Sequence, residues 1–410
     1  MKRPSRSDKK TSARHKAMTP PLRGFGGMGG IVMAALALPG VWSEPAHAEN
    51  APEAGIVGFK YLYYKEDKRP GIDYARLGHP ITVNSPSIYL LAPLSSSWAV
   101  EGSAVVDSLS GATPRYHSSG GASKMKDERK AVDMKVRHYG SRSTVSLGFS
   151  HSKENDYVSN AVSGDLSLSS EDNNTTWNLG LGYASDKIDA TEGGFNGDVF
   201  GKKKKTAEFM IGVTQAVSAR DLAQFNFTIS SGKGYFSDPY KALDVRPSKR
   251  TQIAGLVRWN HYLEADGSAL RGSYRLYHDN FRINAHTLQG EWVKRASATV
   301  TVTPLLRYYS QSSASFYFDP VYANPPPDPT PIGYDPNDPT QLISEDQRLS
   351  AFGAVTLGLK LEYRPVPEWT LDAKVEKYQQ RSNWRVGGAG SPGLEPFGAI
   401  SVQLGLSHKF

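Results

Sequence analysis

Histidine, serine and carboxylate side chains are the groups in this sequence that could do acid–base or nucleophilic chemistry. The chain has ten histidines, and His151, His261, His278 and His286 lie near the ends of segments with alternating polarity. A hydrolase needs a nucleophile, a base and an orienting group in defined positions. No G-x-S-x-G or H-E-x-x-H segment accompanies these histidines. We therefore expect no enzyme and no catalytic residue, with hydrolysis as a remote alternative.

Metal and cofactor sites are also poorly supported. The acidic residues between positions 319 and 346 lack the fixed spacing of a calcium-binding loop, so we interpret them as solvated loop acids: Asp319, Asp328, Asp335, Asp338, Glu345 and Asp346. The absence of cysteine excludes disulfides, thiolate metal sites and covalently attached haem. We expect neither a metal nor a cofactor.

A further set of charged residues occupies every second position of segments whose other positions are apolar or aromatic. Alternate side chains lie on opposite faces of a β-strand, so these residues are predicted to share one polar face. They comprise eight basic and nine acidic groups: Glu101, Asp107, Asp133, Lys135, Arg137, Asp165, Glu208, Arg258, Arg271, Arg275, Glu291, Arg307, Lys360, Glu362, Asp372, Lys374 and Glu376. Two interpretations are open, an ion-pair network that stiffens a wall or a wet channel lined by opposed charges. The near balance predicts neither anion nor cation selectivity.

The C-terminal segment shows which element positions such residues. Phe410, His408, Leu406 and Leu404 alternate with small or polar residues, and the chain ends on the aromatic side chain. This pattern is typical of the closing strand of an outer-membrane β-barrel, although an amphipathic edge strand of a soluble sandwich would share it. In a barrel, we expect these four residues to act as the signal that the outer-membrane assembly machinery reads.

Alternating segments recur from Gly55 to the end and are longer than the strands of soluble sandwiches. The sequence therefore predicts an all-β fold, a transmembrane antiparallel up-and-down β-barrel of about 16 strands, with 14 to 18 open. The uncertainty comes from two hairpins, near 155–156 and near 281–285. Short polar turns alternate with long segments, which indicates short periplasmic turns, long outer loops and periplasmic termini. The longest outer loop is the proline-rich stretch 319–345.

The first 48 residues read as a secretory signal peptide. Basic residues precede an apolar run from Ile31 to Leu38, and Ala46-His47-Ala48 forms an A-x-A cleavage site. The predicted mature chain, 49–410, is one barrel domain, although translation could also begin at Met18. Removing the signal lowers the net charge from +8 to about +2, so the composition gives no support for nucleic-acid binding. The mean hydropathy of −0.46 argues against a bundle of membrane-spanning helices.

Four segments resemble a known family: residues 85–94, 106–116, 171–176 and 346–353. Together they are similar to the Gram-negative family catalogued as domain of unknown function 3570, over about 55–410. The resemblance implies an outer-membrane β-barrel and carries no catalytic motif. It also implies a genetic setting near flavin-attachment and small lipoprotein genes. Because the chain has no C-x-x-C-H, it could serve such an envelope redox system only as a sheath or channel.

These observations predict an outer-membrane barrel that lets small solutes pass without catalysis. The alternative is a non-catalytic scaffold or sheath that docks a lipoprotein or a periplasmic redox partner. In either case we expect the barrel to lie in a lipid bilayer. A strand of a membrane barrel has one face in lipid, so only its alternate side chains need to be apolar, as they are in this sequence.

Overall fold

The computed structural model describes residues 51–68, 73–112, 124–190, 199–241, 243–319, 334–335, 338 and 340–410. The predicted signal peptide and the proline-rich run 324–331 lie outside these residues. Within them the strands are β1 (Ile56–Glu66), β2 (Thr82–Pro93), β3 (Trp98–Ala112), β4 (Lys124–Tyr139), β5 (Ser143–Lys153), β6 (Tyr157–Ser169), β7 (Thr175–Ala190), β8 (Val199–Ala216), β9 (Asp221–Gly234), β10 (Asp244–Val245), β11 (Lys249–Leu263), β12 (Ser268–Asp279), β13 (Asn284–Arg295), β14 (Val300–Gln311), β15 (Ile343–Ser344), β16 (Phe352–Val366), β17 (Trp369–Arg381) and β18 (Phe397–Lys409).

Sixteen of the described strands form one closed antiparallel barrel, and the other two, β10 and β15, pair with each other outside it. Each barrel strand pairs with its neighbours in the barrel order, and β18 closes the ring by pairing with β1 from Ile56↔Lys409 to Glu66↔Ala399. Closure leaves no strand edge with unpaired backbone groups, which is what a sheet in lipid requires. The predicted fold is confirmed. Both uncertain hairpins are present, as the tight connections 154–156 and 280–283.

Large apolar side chains cover the outer surface of the barrel. Leu147, Leu181 and Leu357 are each at least 60% exposed, although each lies in the middle of a strand. In water such a continuous apolar surface would drive association, whereas in a bilayer it is the solvated state. Of the helices in the described part of the chain, none is long and apolar enough to cross a bilayer. The longest α-helix is α1 (Tyr74–Leu77), whose first turn is capped by Asp73.

The two ends of the barrel differ. One end carries the start of β1, the end of β18 and the short turns, for example 94–97 and 140–142. The other end carries the longer connections, of which 235–248 and 312–351 contain β10 and β15. The parts of these two connections that the structure describes pack together over this end, and we call them the outer cap. An apolar cluster joins the cap to the barrel: Phe281, Ile283, Ala314, Phe316 and Leu349.

Candidate functional site

The predicted lining residues all lie in barrel strands, on the face opposite the exposed apolar side chains. Asp133, for example, lies between Val132 and Met134, which are both exposed on the outside. The register shifts only near strand ends, between Tyr363 and Val366 and between Ile188 and Ala190, so along the rest of each strand one parity faces the interior. The fourteen residues placed in this way are Glu101, Asp133, Lys135, Arg137, Glu208, Arg258, Arg271, Arg275, Glu291, Arg307, Lys360, Glu362, Asp372 and Lys374.

Several of these residues form ion pairs along one wall, β3 to β6. Arg137 Nη2 lies 2.5 Å from Glu101 Oε2, and Lys135 Nζ lies 3.0 Å from Asp165 Oδ2. Ser146 Oγ also donates to Asp165 Oδ2, at 2.9 Å. These bonds connect side chains of neighbouring strands. In this part of the interior the charges therefore form an ion-pair network along the wall, which is the first of the two interpretations left open by the sequence.

A second network covers the wall from β13 to β17. Arg307 donates to Gln289 Oε1 at 2.7 Å and lies 3.5 Å from Glu376 Oε1, which Lys374 also approaches, at 3.1 Å. Lys360 and Glu362 pair at 3.2 Å within β16. Asp372 faces Gly405 across the β17–β18 pairing, and the missing side chain of Gly405 leaves room for the carboxylate.

Four interior charges, one on β4 and three on β8, β11 and β12, have no ion-pair partner among the residues that the structure describes. Arg258 contacts only Gln224, at 3.4 Å, and Arg275 lies over the ring of Tyr277. Asp133 accepts only from Ser103 Oγ, at 3.3 Å, and Glu208 is exposed. Asp133, Arg258 and Arg275 are exposed as well. On the inward face, these exposed side chains border open space inside the barrel.

Interior ion pairs near the outer end were missed by the sequence analysis. Arg250 binds the fully buried Asp279 with a 2.6 Å bond, and Lys204 lies 3.0 Å from Asp186. All four residues continue the alternation of β7, β8, β11 and β12. They were missed because the strands extend further than their apolar segments: Lys204 lies in a run of four lysines, 202–205, which shows no alternation of polarity.

The outer cap contains a buried charge cluster, which corrects the interpretation of Asp346 as a solvated loop acid; the interpretation of Glu345 was wrong as well, because that residue is also fully buried. Asp244 and Asp346 are completely buried; Arg246 bonds to both, at 2.6 and 2.7 Å, and Arg348 joins Asp346 to Asp238. Partners about 100 positions away in the chain have no local pattern that would reveal them.

The electrostatics of the cap follow from burial and from the two arginines. Burial raises the pKa of Asp244 to about 6, and the adjacent Arg246 opposes the rise. Burial alone would also raise the pKa of Asp346, but Arg348 and Arg246 outweigh it and hold that pKa well below its usual range. Asp346 therefore stays ionised and ties the two connections of the cap together.

The six histidines in the described barrel strands lie beside aromatic rings or amide groups. His138, His261 and His408 each contact a tryptophan ring near the short-turn end, with centroid distances of 4.6, 5.3 and 4.4 Å. Such rings suit the interface between lipid and water. At the long-loop end of the strands, His278 contacts Asn284, and His286 contacts Tyr274.

One histidine has both a carboxylate and a serine nearby. His261 Nδ1 lies 2.7 Å from Asp221 Oδ1, and Ser218 Oγ donates to Asp221 Oδ2 at 2.7 Å. In a hydrolytic triad the base contacts the nucleophile and the acid orients the base. Here the serine bonds to the acid instead, so this arrangement does not activate the hydroxyl. No group of three metal-ligating side chains occurs among the described residues.

The four residues proposed as an assembly signal lie on the outside of the closing strand. Leu404, Leu406 and Phe410 are each more than 40% exposed, and His408 stacks on Trp369. The same strand forms the seam with β1, so the segment predicted as an assembly signal lies at the seam of the barrel.

Comparison with known proteins supports the fold. The family model described as "Protein of unknown function (DUF3570)" matches residues 28–123 and 115–401. A comparison with curated protein sequences finds no match.

Among solved structures, CdiB from Acinetobacter baumannii is similar with a TM-score of 0.51 and 7% identity, covering 87% of this chain; this chain spans 60% of CdiB. A Pseudomonas aeruginosa FadL homologue has 12% identity and a TM-score of 0.39, covering 87% of this chain and 90% of its own. OccK1 (OpdK) from Pseudomonas aeruginosa has 8% identity and a TM-score of 0.42, and the match covers 88% of this chain and 100% of OccK1. At these identities, the similarity concerns the outer-membrane barrel fold.

Proposed function

The chain belongs to the DUF3570 family, and we propose that its barrel is a non-catalytic, water-filled channel for passive passage of small solutes across the outer membrane of a Gram-negative bacterium. A closed barrel of sixteen strands is wide enough for an aqueous interior unless loops fill it. The lining is polar, and the outside is apolar, which is the arrangement of a porin wall.

The observation that carries this proposal is the exposure of unpaired charges on the interior face. Asp133, Glu208, Arg258 and Arg275 are exposed and have no ion-pair partner among the described residues. A charge enclosed in a filled interior would need a partner, because desolvating it alone is costly. Water around these groups removes that requirement, and the water that solvates them also provides a path for solutes.

The positions of the unpaired charges suggest which solutes pass. Arg258 and Arg275 lie on β11 and β12, whereas Asp133 lies on β4, seven strands from β12 in the ring of sixteen. All three are in mid-strand: Asp133 is six residues before the end of β4, and Arg258 is five before the end of β11. Opposed charges at similar depth create a field across the channel and little net selectivity. We propose small polar and zwitterionic solutes.

The absence of catalysis is also part of this proposal. The Ser218–Asp221–His261 arrangement has the wrong order of contacts for nucleophile activation, and it lies at the short-turn end rather than in the interior. No step of hydrolysis can be written with it as it stands.

Liposome swelling tests the channel. Liposomes that contain the purified barrel should swell in isotonic solutions of glycine, arabinose and glucose, at rates that fall as solute size rises. Protein-free liposomes are the control. Swelling no faster than this control, together with a stoichiometric protein that co-purifies with the barrel, would instead favour a scaffold that docks a lipoprotein or redox partner.

A further inference from the structure

Lysines line up across four adjacent strands near the long-loop end of the barrel. Lys187 of β7 stands directly opposite Lys203 of β8, Lys205 of β8 stands opposite Lys233 of β9, and Lys233 stands opposite Lys249 of β11. We call these five residues the lysine belt. A separate pair, on β4 and β5, is described below.

The belt faces outwards, directly above the apolar surface. Lys205 has the same parity as the exposed Phe209, and Lys187 has the same parity as the exposed Tyr183. All five lysines are exposed. Lys204, between two belt residues, points inwards to Asp186. At about 3.3 Å per residue, the belt backbone lies roughly 13 Å further along the strands than these rings. Because barrel strands are tilted, this is roughly 10 Å along the barrel axis.

The belt carries too few acids to neutralise it. Lys187 lies 2.6 Å from Asp189, but Lys203, Lys205, Lys233 and Lys249 have no carboxylate partner among the described residues. Residues directly opposite in antiparallel strands have Cβ atoms about 4.5–5.5 Å apart, and like charges there destabilise the pairing. Three such contacts in succession therefore cost stability unless an anion lies between the ammonium groups.

A second pair repeats the arrangement. Lys130 of β4 stands opposite Lys153 of β5, on the outward face beyond Val132. Glu128 lies 2.9 Å from Lys130, so this pair is partly neutralised. The outward lysine pairs are concentrated on one side of the barrel. A ring of lysines that served only to keep this end hydrated would be expected to be spread evenly around it.

We propose that the lysine belt binds the phosphate groups of an anionic lipid of the outer leaflet. Lysine binds phosphate as a point charge, and one phosphate between two opposed lysines cancels their repulsion. The apolar side chains on the same face below the belt, such as Phe209 and Ile229, would contact the acyl chains of the same lipid. A soluble anion would use the lysines but not this apolar surface, so the geometry favours a lipid. The inference is independent of the channel function.

Lys65 provides a matched control. It is exposed, lies on the outward face near the long-loop end of β1, and stands opposite Ile400 and Thr82 rather than another lysine. Replacing it removes one positive charge at similar height without relieving a lysine–lysine contact.

The test uses the purified full barrel in zwitterionic micelles, with lipid A as the probe and dephosphorylated lipid A as its control. Native mass spectrometry counts bound lipid, and the melting temperature is measured in parallel. The wild-type barrel should retain lipid A, and its melting temperature should rise when lipid A is present. It should not retain dephosphorylated lipid A, which should leave the melting temperature unchanged. Each lysine removed in Lys205→Gln and Lys233→Gln should weaken binding roughly fivefold, whereas Lys65→Gln should not change it.

The same variants also make a prediction without lipid. Since repulsion is relieved, Lys205→Gln and Lys233→Gln should melt at or above the wild-type temperature in lipid-free micelles, which separates lost binding from failed folding. Equal retention of phosphorylated and dephosphorylated lipid A would overturn the proposal. Full competition by millimolar inorganic phosphate would also overturn it, because it would show an anion site rather than a lipid site.

Discussion

Gly55 and Phe410 exchange two backbone hydrogen bonds at the seam of the barrel, beside the pairing of β1 with β18. Gly55 N donates to Phe410 O at 2.8 Å, and Phe410 N donates to Gly55 O at 2.9 Å. The Phe410 ring also covers Gly55, so that an added Cβ would lie 2.4 Å from Phe410 Cζ. The last residue of the chain therefore fits against a position that only glycine can occupy without displacement.

Replacing Gly55 by alanine should weaken closure of the barrel. The new methyl group would push the Phe410 ring away from the seam, and we expect a lower melting temperature and slower folding into micelles. Overpacking of this kind typically costs about 1–3 kcal/mol. Gly290→Ala is the control, because no atom lies within 4 Å of the added Cβ there. If the clash is the cause, Gly55→Ala should have no further effect in a Phe410→Ala background.

Two interior arginines should differ in what they contribute. Arg307→Ala removes the donor to Gln289 and one of the two cations beside Glu376, so the free energy of unfolding should fall by about 1–3 kcal/mol. Arg258 is exposed, and its one described hydrogen bond is to Gln224. Arg258→Ala should therefore change the free energy of unfolding by less than about 0.5 kcal/mol. Urea titrations followed by tryptophan fluorescence measure both. Equal effects on stability would contradict the division between wall network and channel lining.

The outer cap should open when its central arginine is removed. Arg246→Met leaves Asp244 and Asp346 buried with one cation fewer, and breaking such a buried pair typically costs about 3–5 kcal/mol. We expect new cleavage by an added protease within 235–248, while the barrel stays resistant to heating in detergent. Arg220→Met is the control, since its pair with Glu264 is exposed. Unchanged cleavage would show that the charge cluster does not hold the cap.

Protonation should stabilise the outer end. Burial, together with Asp127 and Asp156, raises the pKa of Glu154 to about 8 from 4.5, and Arg129 opposes the rise. A raised pKa in the folded state means that the stabilisation is complete at pH below about 4.5 and is lost as pH rises through about 8. The protection factors of the 154–156 amides, which divide out the base-catalysed intrinsic exchange rate, should therefore be larger at pH 6 than at pH 9.

One variant and one comparison residue test this direction of the pH dependence. Glu154→Gln should remove most of the change in these protection factors between pH 6 and pH 9. Asp346 should contribute nothing to that change, because its pKa is held well below the usual range and it stays ionised throughout. Protection factors in the wild type that are equal at the two pH values, or larger at pH 9, would contradict the assignment to Glu154.

The barrel could be predicted from sequence because period-two alternation is a local signal. Leu357, Leu359 and Leu361 alternate with Lys360, and this alone assigns each side chain to lipid or interior. The seam could also be anticipated from Phe410 at the end of such a segment. Strand ends were less clear, since β8 continues through Lys204 where the apolar pattern has already stopped.

The outer cap could not be predicted, because its contacts are set by three-dimensional folding and not by a repeat. Arg246 and Asp346 are 100 residues apart. Nothing near Asp346 distinguishes it from the solvated acids of the same loop. Similarly, alternation places Arg258 and Arg307 on the same face, but only the structure shows that Arg307 is in a network and Arg258 is not.

Single-channel conductance in a planar bilayer tests the central claim most directly. The purified barrel should give stable openings, and replacing Arg258 and Arg275 by glutamate should shift the reversal potential in a salt gradient towards cation selectivity. Replacing Glu208 by glutamine should shift it the other way, because an exposed interior carboxylate is lost. A folded, heat-resistant barrel that gives no openings would contradict the proposed channel. Openings whose ion selectivity does not change when these three residues are replaced would contradict it as well.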